Sequence, residues 1–198
     1  MSLSDAVPTA LSDPWDALRA ARRRLFEPVE ERPPLGDALR TTTRVCGLLM
    51  GLAAVAWASG LPYIFPSLGP SAYALAVSPS SATSRPQRVF GGHLFGVVGG
   101  LLAYHLLAPG LAVTSLPTAL SVDGARLAAS ATLSVGLTSA GMLTTDLRHA
   151  PACATTLIVG LGILPRVEEG GIILSAVLLL VAIDYALPGF GGVEDRPK

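Results

Sequence analysis

Residues 147–164, LRHAPACATTLIVGLGIL, decide how the chain can fold. The segment begins with polar residues, passes through a proline and then continues as an apolar run. Residues 65–78, FPSLGPSAYALAVS, have the same order of a proline and a short apolar run. Neither run can cross a hydrocarbon core of about 30 Å as a helix, which takes about 20 residues. Two short, proline-interrupted segments at matching places in a membrane protein indicate a transporter's binding site.

The composition is that of a polytopic membrane protein. Of the 198 residues, 51% are hydrophobic and only 14% are charged, and the mean hydropathy is +0.55. Soluble domains carry about 25% charged residues. The formal net charge is zero, so no basic surface favours nucleic acid as a partner. Cys46 and Cys153 both lie in apolar runs and are expected to be small packing residues rather than disulfide or zinc ligands.

The chain divides into three parts by composition. Residues 1–36 are predicted to be a cytoplasmic N-terminal segment, unlike a cleaved signal peptide because they lack an early apolar run. Within it, residues 12–26 place apolar and arginine side chains mostly on different faces, which favours an interfacial helix over a solvated tail. Residues 37–189 are predicted to form the transmembrane domain, and residues 190–198 a polar tail.

The transmembrane domain is predicted to contain an internal repeat. Full-length spans are expected at 40–60, 91–107, 125–145 and 170–187, so the order span, short segment, span occurs twice, in repeats 40–110 and 123–189. Residues 91–110 and 170–189 align without a gap and match at seven positions. The predicted fold is therefore an all-α polytopic membrane helix bundle of two three-element repeats, each with a short proline-opened helix. Gly92, Gly96 and Gly100 recur every four residues, which favours close approach of another helix.

The positive-inside rule favours six crossings. If the short segments cross, Arg85, Arg88 and Arg148 lie on the cytoplasmic side with both termini, and the two repeats have opposite orientation. If the short segments are re-entrant, there are four crossings and these arginines face outward, against the rule. We therefore expect an integral protein of a prokaryotic plasma membrane with a cytoplasmic N-terminus.

A helix that starts at membrane depth directs free N–H groups and a positive dipole end into the protein interior, which suits an anion. Pro70 and Pro151 are placed to open two such helices, and Ser67 and Thr156 are further hydroxyl donors; the alternative is that both prolines only kink buried helices. The predicted substrate-binding residues are Gly69, Pro70, Ser71, His93, His149, Pro151, Ala152 and Thr155.

The titratable residues of the apolar segments are the remaining candidates. His149, before the second short segment, is suited to bind substrate or transfer a proton, and the alternative for both His149 and His93 is a hydrogen bond that fixes a neighbouring loop. The histidine spacing is unlike a metal site, so neither a metal nor a cofactor is predicted. Asp184 is an acid near the end of the last span, where it can also reach headgroup water. No nucleophile elbow or phosphate loop occurs, so no enzymatic activity is expected.

Three motifs, in this order along the chain, resemble the HPP family of integral membrane proteins. LGPSAYALA at 68–76 is similar to the family's FGASAVLLF, and PQRVFGGHLFGV at 86–97 to its PRNVIGGHxxSA. RHAPACATTL at 148–157 resembles LHPPAGATAL, the His-Pro-Pro run that names the family. Ala150 replaces the first proline of that run and Cys153 its glycine, whereas His149 and Pro151 are kept. The resemblance covers roughly residues 40–190.

The resemblance implies a carrier of small anions, because some HPP proteins of plastids and cyanobacteria are implicated in nitrite transport. The expected function is therefore a transporter or channel for a small anion such as nitrite, with the anion and the lipid bilayer as partners and with homo-oligomerisation open. The alternative is a non-transporting membrane scaffold or sensor partner that acts through its N-terminal segment.

Overall fold

In a computed structural model of the protein, the described residues are Trp15, Leu18, Arg19, Arg22 and 32–187. The first four are helical, and the rest of the predicted interfacial helix and the predicted tail at 190–198 lie outside the described residues. Within 32–187 there are six α-helices and no strand, which confirms the all-α prediction. They are α1 Leu35–Ser59, α2 Leu68–Val77, α3 Pro86–Leu107, α4 Val122–Thr145, α5 Ala152–Gly160 and α6 Val167–Ala186, with a 3-10 turn at Ala82–Ser84.

The four long helices end within one residue of the predicted positions but begin earlier. They start at Leu35, Pro86, Val122 and Val167 instead of residues 40, 91, 125 and 170. Their first turns contain charged residues outside the predicted spans, and acids are favourable near a helix N-terminus. At α4 the Ser121 hydroxyl caps the helix by accepting from the Gly124 N–H, and at α6 the Glu169 carboxylate accepts from the Arg166 N–H.

Three of the helices, α1, α3 and α4, are long and apolar enough to cross a membrane. Helix α6 has 20 residues, or about 30 Å at 1.5 Å per residue, and carries acids at both ends. Together with the polytopic composition, these helices show an integral membrane protein. The two short helices have ten and nine residues, about 15 Å and 14 Å, so each reaches only half-way through a hydrocarbon core.

Helix α5 packs lengthwise on α3, and both run in the same direction. A Cβ atom added at Gly92 would lie 2.8 Å from the His149 Cβ, and one added at Gly100 would lie 2.6 Å from the Val159 Cβ. Such distances are below any normal contact, so α5 lies directly on the bare glycine face of α3. The glycine spacing in the sequence thus has a direct packing role.

The second short segment connects the two ends of α3. At its entrance, Asp146 forms an ion pair with Arg88 in the first turn of α3. At its exit, the Leu161 carbonyl accepts from the Val113 N–H in the loop that follows α3. If α3 spans the membrane, residues 147–164 therefore pass from one side to the other. The six-crossing count and the inverted orientation of the repeats stay predictions.

Helices α1 and α6 pack against each other through an apolar core and one buried ion pair. Leu48 and Leu52 of α1 belong to the same buried cluster as Ile173 and Leu180 of α6. Near the start of α1 an Arg44 Nη2 atom lies 2.8 Å from the Oδ1 of Asp184, with the two side chains 9% and 15% exposed. Asp184 lies near the end of the last span, and this ion pair gives the acid a partner inside the protein.

Candidate functional site

The two short helices meet at their starts. The hydroxyl of Ser67, the residue before α2, lies 2.6 Å from the hydroxyl of Thr155 in the first turn of α5. Both residues are completely buried. Two segments separated by more than 80 positions in the chain are therefore joined directly by side chains.

His93 of α3 lies between these two helices. Its Nδ1 atom is 2.7 Å from the Thr155 hydroxyl, and its Nε2 atom is 3.0 Å from the Ser71 hydroxyl on α2. The absence of a side chain at Gly96 lets α5 approach α3 this closely, because a Cβ there would lie 2.8 Å from the carbonyl oxygen of Ala152. Close approach of α5 thus brings Thr155 within reach of an imidazole on α3.

His149 connects the cluster to the 3-10 turn at Ala82–Ser84. Its Nε2 atom is 3.1 Å from the same Ser71 hydroxyl, and its Nδ1 atom is 3.0 Å from the carbonyl oxygen of Thr83 in the 3-10 turn. The rings of His93 and His149 have centroids 5.3 Å apart and are tilted by 52°. Both histidines are completely buried, whereas Thr83 is exposed. We call the connected side chains of Ser67, Ser71, His93, His149 and Thr155 the polar cluster.

Every side chain of the polar cluster has a hydrogen-bond partner, as buried polar groups require. The cluster contains no lysine or arginine. Among the described residues, no group of three histidine, cysteine, aspartate or glutamate side chains is placed to hold a metal ion. The chemical capacity of the site is therefore that of hydroxyl and imidazole groups, which can donate hydrogen bonds, accept them and pass protons.

A comparison with protein families matches residues 30–187 to the transmembrane region of HPP proteins. The chain belongs to the HPP family. Comparison with curated proteins and with solved structures found no match. In this HPP protein the two retained residues of the naming motif have different places: His149 is inside the polar cluster, and Pro151 immediately precedes α5.

Four of the eight predicted site residues belong to the polar cluster: Ser71, His93, His149 and Thr155. The other four supply backbone and packing at the two helix starts. Gly69 is partly buried and Pro70 is exposed in the first turn of α2, while Pro151 and Ala152 form the start of α5. Ala152 is the residue whose carbonyl lies against Gly96.

The amide groups at the start of α5 are already used within their own turn. The N–H groups of Ala152, Cys153 and Ala154 donate to the carbonyls three residues earlier, at 3.0, 3.1 and 3.0 Å. The sequence predicted that an anion would bind unpaired amides at this helix start, whereas in the structure these three amides have partners. The donors that face the junction of the short helices are the hydroxyl and imidazole groups.

A shallow depression of about 340 Å³ adjoins the Ser67 end of the cluster. It is lined by Leu49, Ile64, Phe65, Pro66 and Gly69. Pro66 and Gly69 flank the buried Ser67 in the chain. The depression thus adjoins the chain segment that contains Ser67.

A charged group lies close in the chain to His149, at the other end of the polar cluster from Ser67. Asp146 accepts hydrogen bonds from Arg148 at 2.7 and 3.0 Å and pairs with Arg88. The hydrogen bonds from Arg148, together with the charges of Arg88 and Arg148, lower the pKa of Asp146. The carboxylate therefore remains ionised at neutral pH and joins the start of α3 to the entrance of α5.

Two contacts of functional interest were missed by sequence reasoning. Thr83 contributes a backbone carbonyl, which any residue offers, so no sequence signal could have identified it. The Arg44–Asp184 pair joins residues 140 positions apart, and the sequence pointed only to Asp184, as an intramembrane acid. Their opposite charges in otherwise apolar helices were the available signal.

Proposed function

We propose that this HPP protein is a transporter or channel for a small monovalent anion, with nitrite as the candidate that the family resemblance supplies. The observation that carries the proposal is the polar cluster at the junction of the two short helices. In a bilayer, buried polar side chains are costly and mark substrate or ion pathways. The proposal is of a transporter and not of an enzyme.

The chemistry of the cluster fits an anion of low charge. Hydroxyl and imidazole N–H groups donate hydrogen bonds, and donors to a charged acceptor make bonds roughly twice as strong as those between neutral groups. The Ser71 hydroxyl bonds both imidazoles, the Thr155 hydroxyl bonds His93, and the Ser67 hydroxyl bonds Thr155. An anion with two or three oxygen atoms would take these donors from their partners within the cluster, and would be held without a fixed positive charge, which would retain it too long for rapid release.

Access from the Ser67 side requires a movement of the short helix α2. In this structure Ser67 is completely buried behind the wall of the shallow depression. Gly69 lines that depression, and a Cβ added there would meet open space, so a bulky side chain at this position would narrow the depression. We propose that the depression is the mouth of the pathway and that α2 moves to open it.

We also propose a membrane, an orientation and partners for this protein. We place the protein in a prokaryotic plasma membrane with its N-terminal segment in the cytoplasm, where Arg85, Arg88 and Arg148 also lie. The partners are the anion and the surrounding lipid, and a homo-oligomer is compatible with this arrangement. A scaffold or sensor that works through residues 1–36 is the competing function.

Uptake into liposomes separates these functions. Purified protein in liposomes should take up nitrite above the rate of empty liposomes, and Ser71→Ala and Gly69→Phe should both lower that rate. Thr138→Val is the matched control, because Thr138 bonds the Thr156 hydroxyl at 2.8 Å and no member of the polar cluster. Absence of flux for nitrite, nitrate, chloride and formate would refute the transporter. Undiminished flux in both variants would refute the site.

A further inference from the structure

We propose that the polar cluster is a proton relay between Ser67 and Thr83 and that it couples movement of the anion to movement of a proton. The inference rests on the proposed function and adds to it the nature of the driving force. The observation that carries it is the continuity of the hydrogen bonds, which join five side chains and end at a backbone carbonyl.

The direction of the hydrogen bonds follows from the fixed end of the cluster. The Thr83 carbonyl oxygen can only accept, so the Nδ1 atom of His149 must carry a hydrogen and donate to it. In a neutral imidazole the other nitrogen is then bare. The Nε2 atom of His149 therefore accepts from the Ser71 hydroxyl.

The rest of the order is determined in the same way. Ser71 has one hydroxyl hydrogen, which is used toward His149, so the Nε2 atom of His93 must donate to the Ser71 oxygen. The Nδ1 atom of His93 is then bare and accepts from the Thr155 hydroxyl. Thr155 in turn accepts from Ser67. With both histidines neutral, all five hydrogen bonds point from Ser67 to Thr83.

A chain ordered in one direction can pass one proton without a net change in bonding. A proton that reaches the Ser67 oxygen from water, or from the conjugate acid of the anion, displaces the Ser67 proton to Thr155. The Thr155 proton moves to Nδ1 of His93, the Nε2 proton of His93 moves to Ser71, and the Ser71 proton moves to Nε2 of His149. The Nδ1 proton of His149 leaves to water at Thr83. One proton enters, one leaves, and each group loses one bond to hydrogen and gains one.

After transfer, the chain must reset. The bare Nδ1 atom of His149 then faces the Thr83 carbonyl, and two acceptors in contact are unfavourable. Rotation of the hydroxyls restores their first order, and each imidazole gives its new N–H proton to water and takes one from water at the other ring nitrogen when α2 moves and admits water. Ser71 has a second acceptor for this step, since its oxygen also lies 3.1 Å from the Ser67 carbonyl.

Both ends of the relay are next to openings of the described structure. Thr83 is exposed, and Ser67 lies between two residues that line the shallow depression. Along the chain, the ionisable side chains within eight residues of either histidine are Arg85, Arg88, Asp146, Arg148 and Cys153, and Tyr73 lies two residues from Ser71. Within the described part of the chain none of these six hydrogen-bonds to the polar cluster. The protons of the relay therefore have no competing route through a neighbouring acid or base.

The test is the initial rate of nitrite uptake into proteoliposomes with and without an imposed pH gradient, alkaline inside. Valinomycin and equal potassium on both sides hold the membrane potential at zero, and the rate of empty liposomes is subtracted to remove diffusion of nitrous acid. A gradient of one pH unit is a tenfold difference in proton activity. A coupled carrier should respond with a rate several-fold higher than without the gradient.

Two substitutions in the polar cluster test proton coupling separately from transport of the anion. In Thr155→Val, which removes one hydroxyl at nearly constant volume, the ratio of the two rates should fall to about one, whatever happens to the basal rate. Ser67→Ala, at the far end, should have the same effect, and Thr138→Val should retain the wild-type ratio. Wild-type flux that does not respond to the gradient overturns the relay and leaves the carrier standing. A retained ratio in both Thr155→Val and Ser67→Ala also overturns the relay, and absence of any wild-type flux removes both proposals.

Discussion

His93 and His149 lie with their ring centroids 5.3 Å apart and share one hydroxyl, that of Ser71, between their Nε2 atoms. The two residues come from a long helix and from the entrance of a short one. The arrangement requires α2, α3 and α5 to meet at one point. Ser71 is consequently the side chain on which the geometry of the polar cluster depends most directly.

Replacing Ser71 should destabilise the protein more than replacing a serine with only a local bond. In Ser71→Ala both Nε2 atoms lose their partner, and a buried polar group left unsatisfied costs about 1–3 kcal/mol. Ser134 is equally buried, but its hydroxyl bonds only the Ala131 carbonyl in its own helix, so Ser134→Ala should cost less. Thermal unfolding of both variants in detergent measures the difference, and equal losses would contradict the central position of Ser71.

The close packing of α3 and α5 leads to a prediction about glycine. Gly96→Ala would place a methyl group 2.8 Å from the Ala152 carbonyl oxygen and 3.1 Å from the Thr156 hydroxyl. Because the first neighbour is backbone, α5 must shift, and overpacking of this kind typically costs about 1–3 kcal/mol.

A matched control lies in α4. Gly136 is also helical, but nothing lies within 4 Å of an added Cβ, so Gly136→Ala should leave stability unchanged or raise it by up to about 1 kcal/mol through helix propensity. Unfolding temperatures of the two variants, together with nitrite uptake, provide the comparison. A Gly96→Ala protein as stable and as active as wild type would show that α5 does not lie on this face.

The sequence predicted the long helices and singled out four of the five residues of the polar cluster because local sequence signals mark each of them. Apolar runs bounded by charged residues predicted the spans, and the spacing of Gly92, Gly96 and Gly100 predicted a helix face for close packing. Pro70 and Pro151, each followed by a short apolar run, predicted the two short helices. The helix starts were placed too late because charged first turns resemble loops when read without their caps.

The connections of the site could not be predicted because they join distant residues. Nothing in the sequence indicates that Ser71 lies between two histidines rather than facing an open vestibule. The engaged amides of α5 depend on the conformation of residues 149–151, which a single proline does not determine. Likewise, Arg44 and Asp184 could be paired only after α1 was known to pack on α6.

The Arg44–Asp184 pair should contribute to stability far more than a surface ion pair. Removing one partner of a largely buried pair leaves an uncompensated charge, which costs about 3–5 kcal/mol. Asp184→Ala should therefore lower the unfolding temperature strongly, and the double variant Arg44→Met with Asp184→Met should recover part of the loss. The exposed pair of Arg126 and Asp123 is the control, because its removal should cost less than about 1 kcal/mol. Similar losses for Asp184→Ala and Asp123→Ala would contradict the burial of the first pair.

The pKa of Asp146 leads to a prediction about pH. Because Arg148 and Arg88 lower this pKa below its ordinary value of 3.8, the carboxylate stabilises the folded state above the unfolded pKa and loses that effect as the pH falls through the folded pKa. The difference in unfolding temperature between wild type and Asp146→Asn should therefore be constant from about pH 5 to pH 8 and shrink below about pH 4. A difference that instead shrinks between pH 6 and pH 8 would assign the stabilisation to another group.

The six-crossing topology predicts opposite labelling of two loops. Arg85, before α3, and Ser115, between α3 and α4, are both exposed, and they lie beyond opposite ends of α3. In a protein whose Cys46 and Cys153 are replaced by alanine, a cysteine at Arg85 should react with a membrane-impermeant maleimide only from the cytoplasmic side. A cysteine at Ser115 should react only from outside, since the positive-inside rule places the arginine-bearing end of α3 in the cytoplasm. The reverse pattern would overturn the orientation, and labelling of both positions from one side would show that α3 does not cross the membrane.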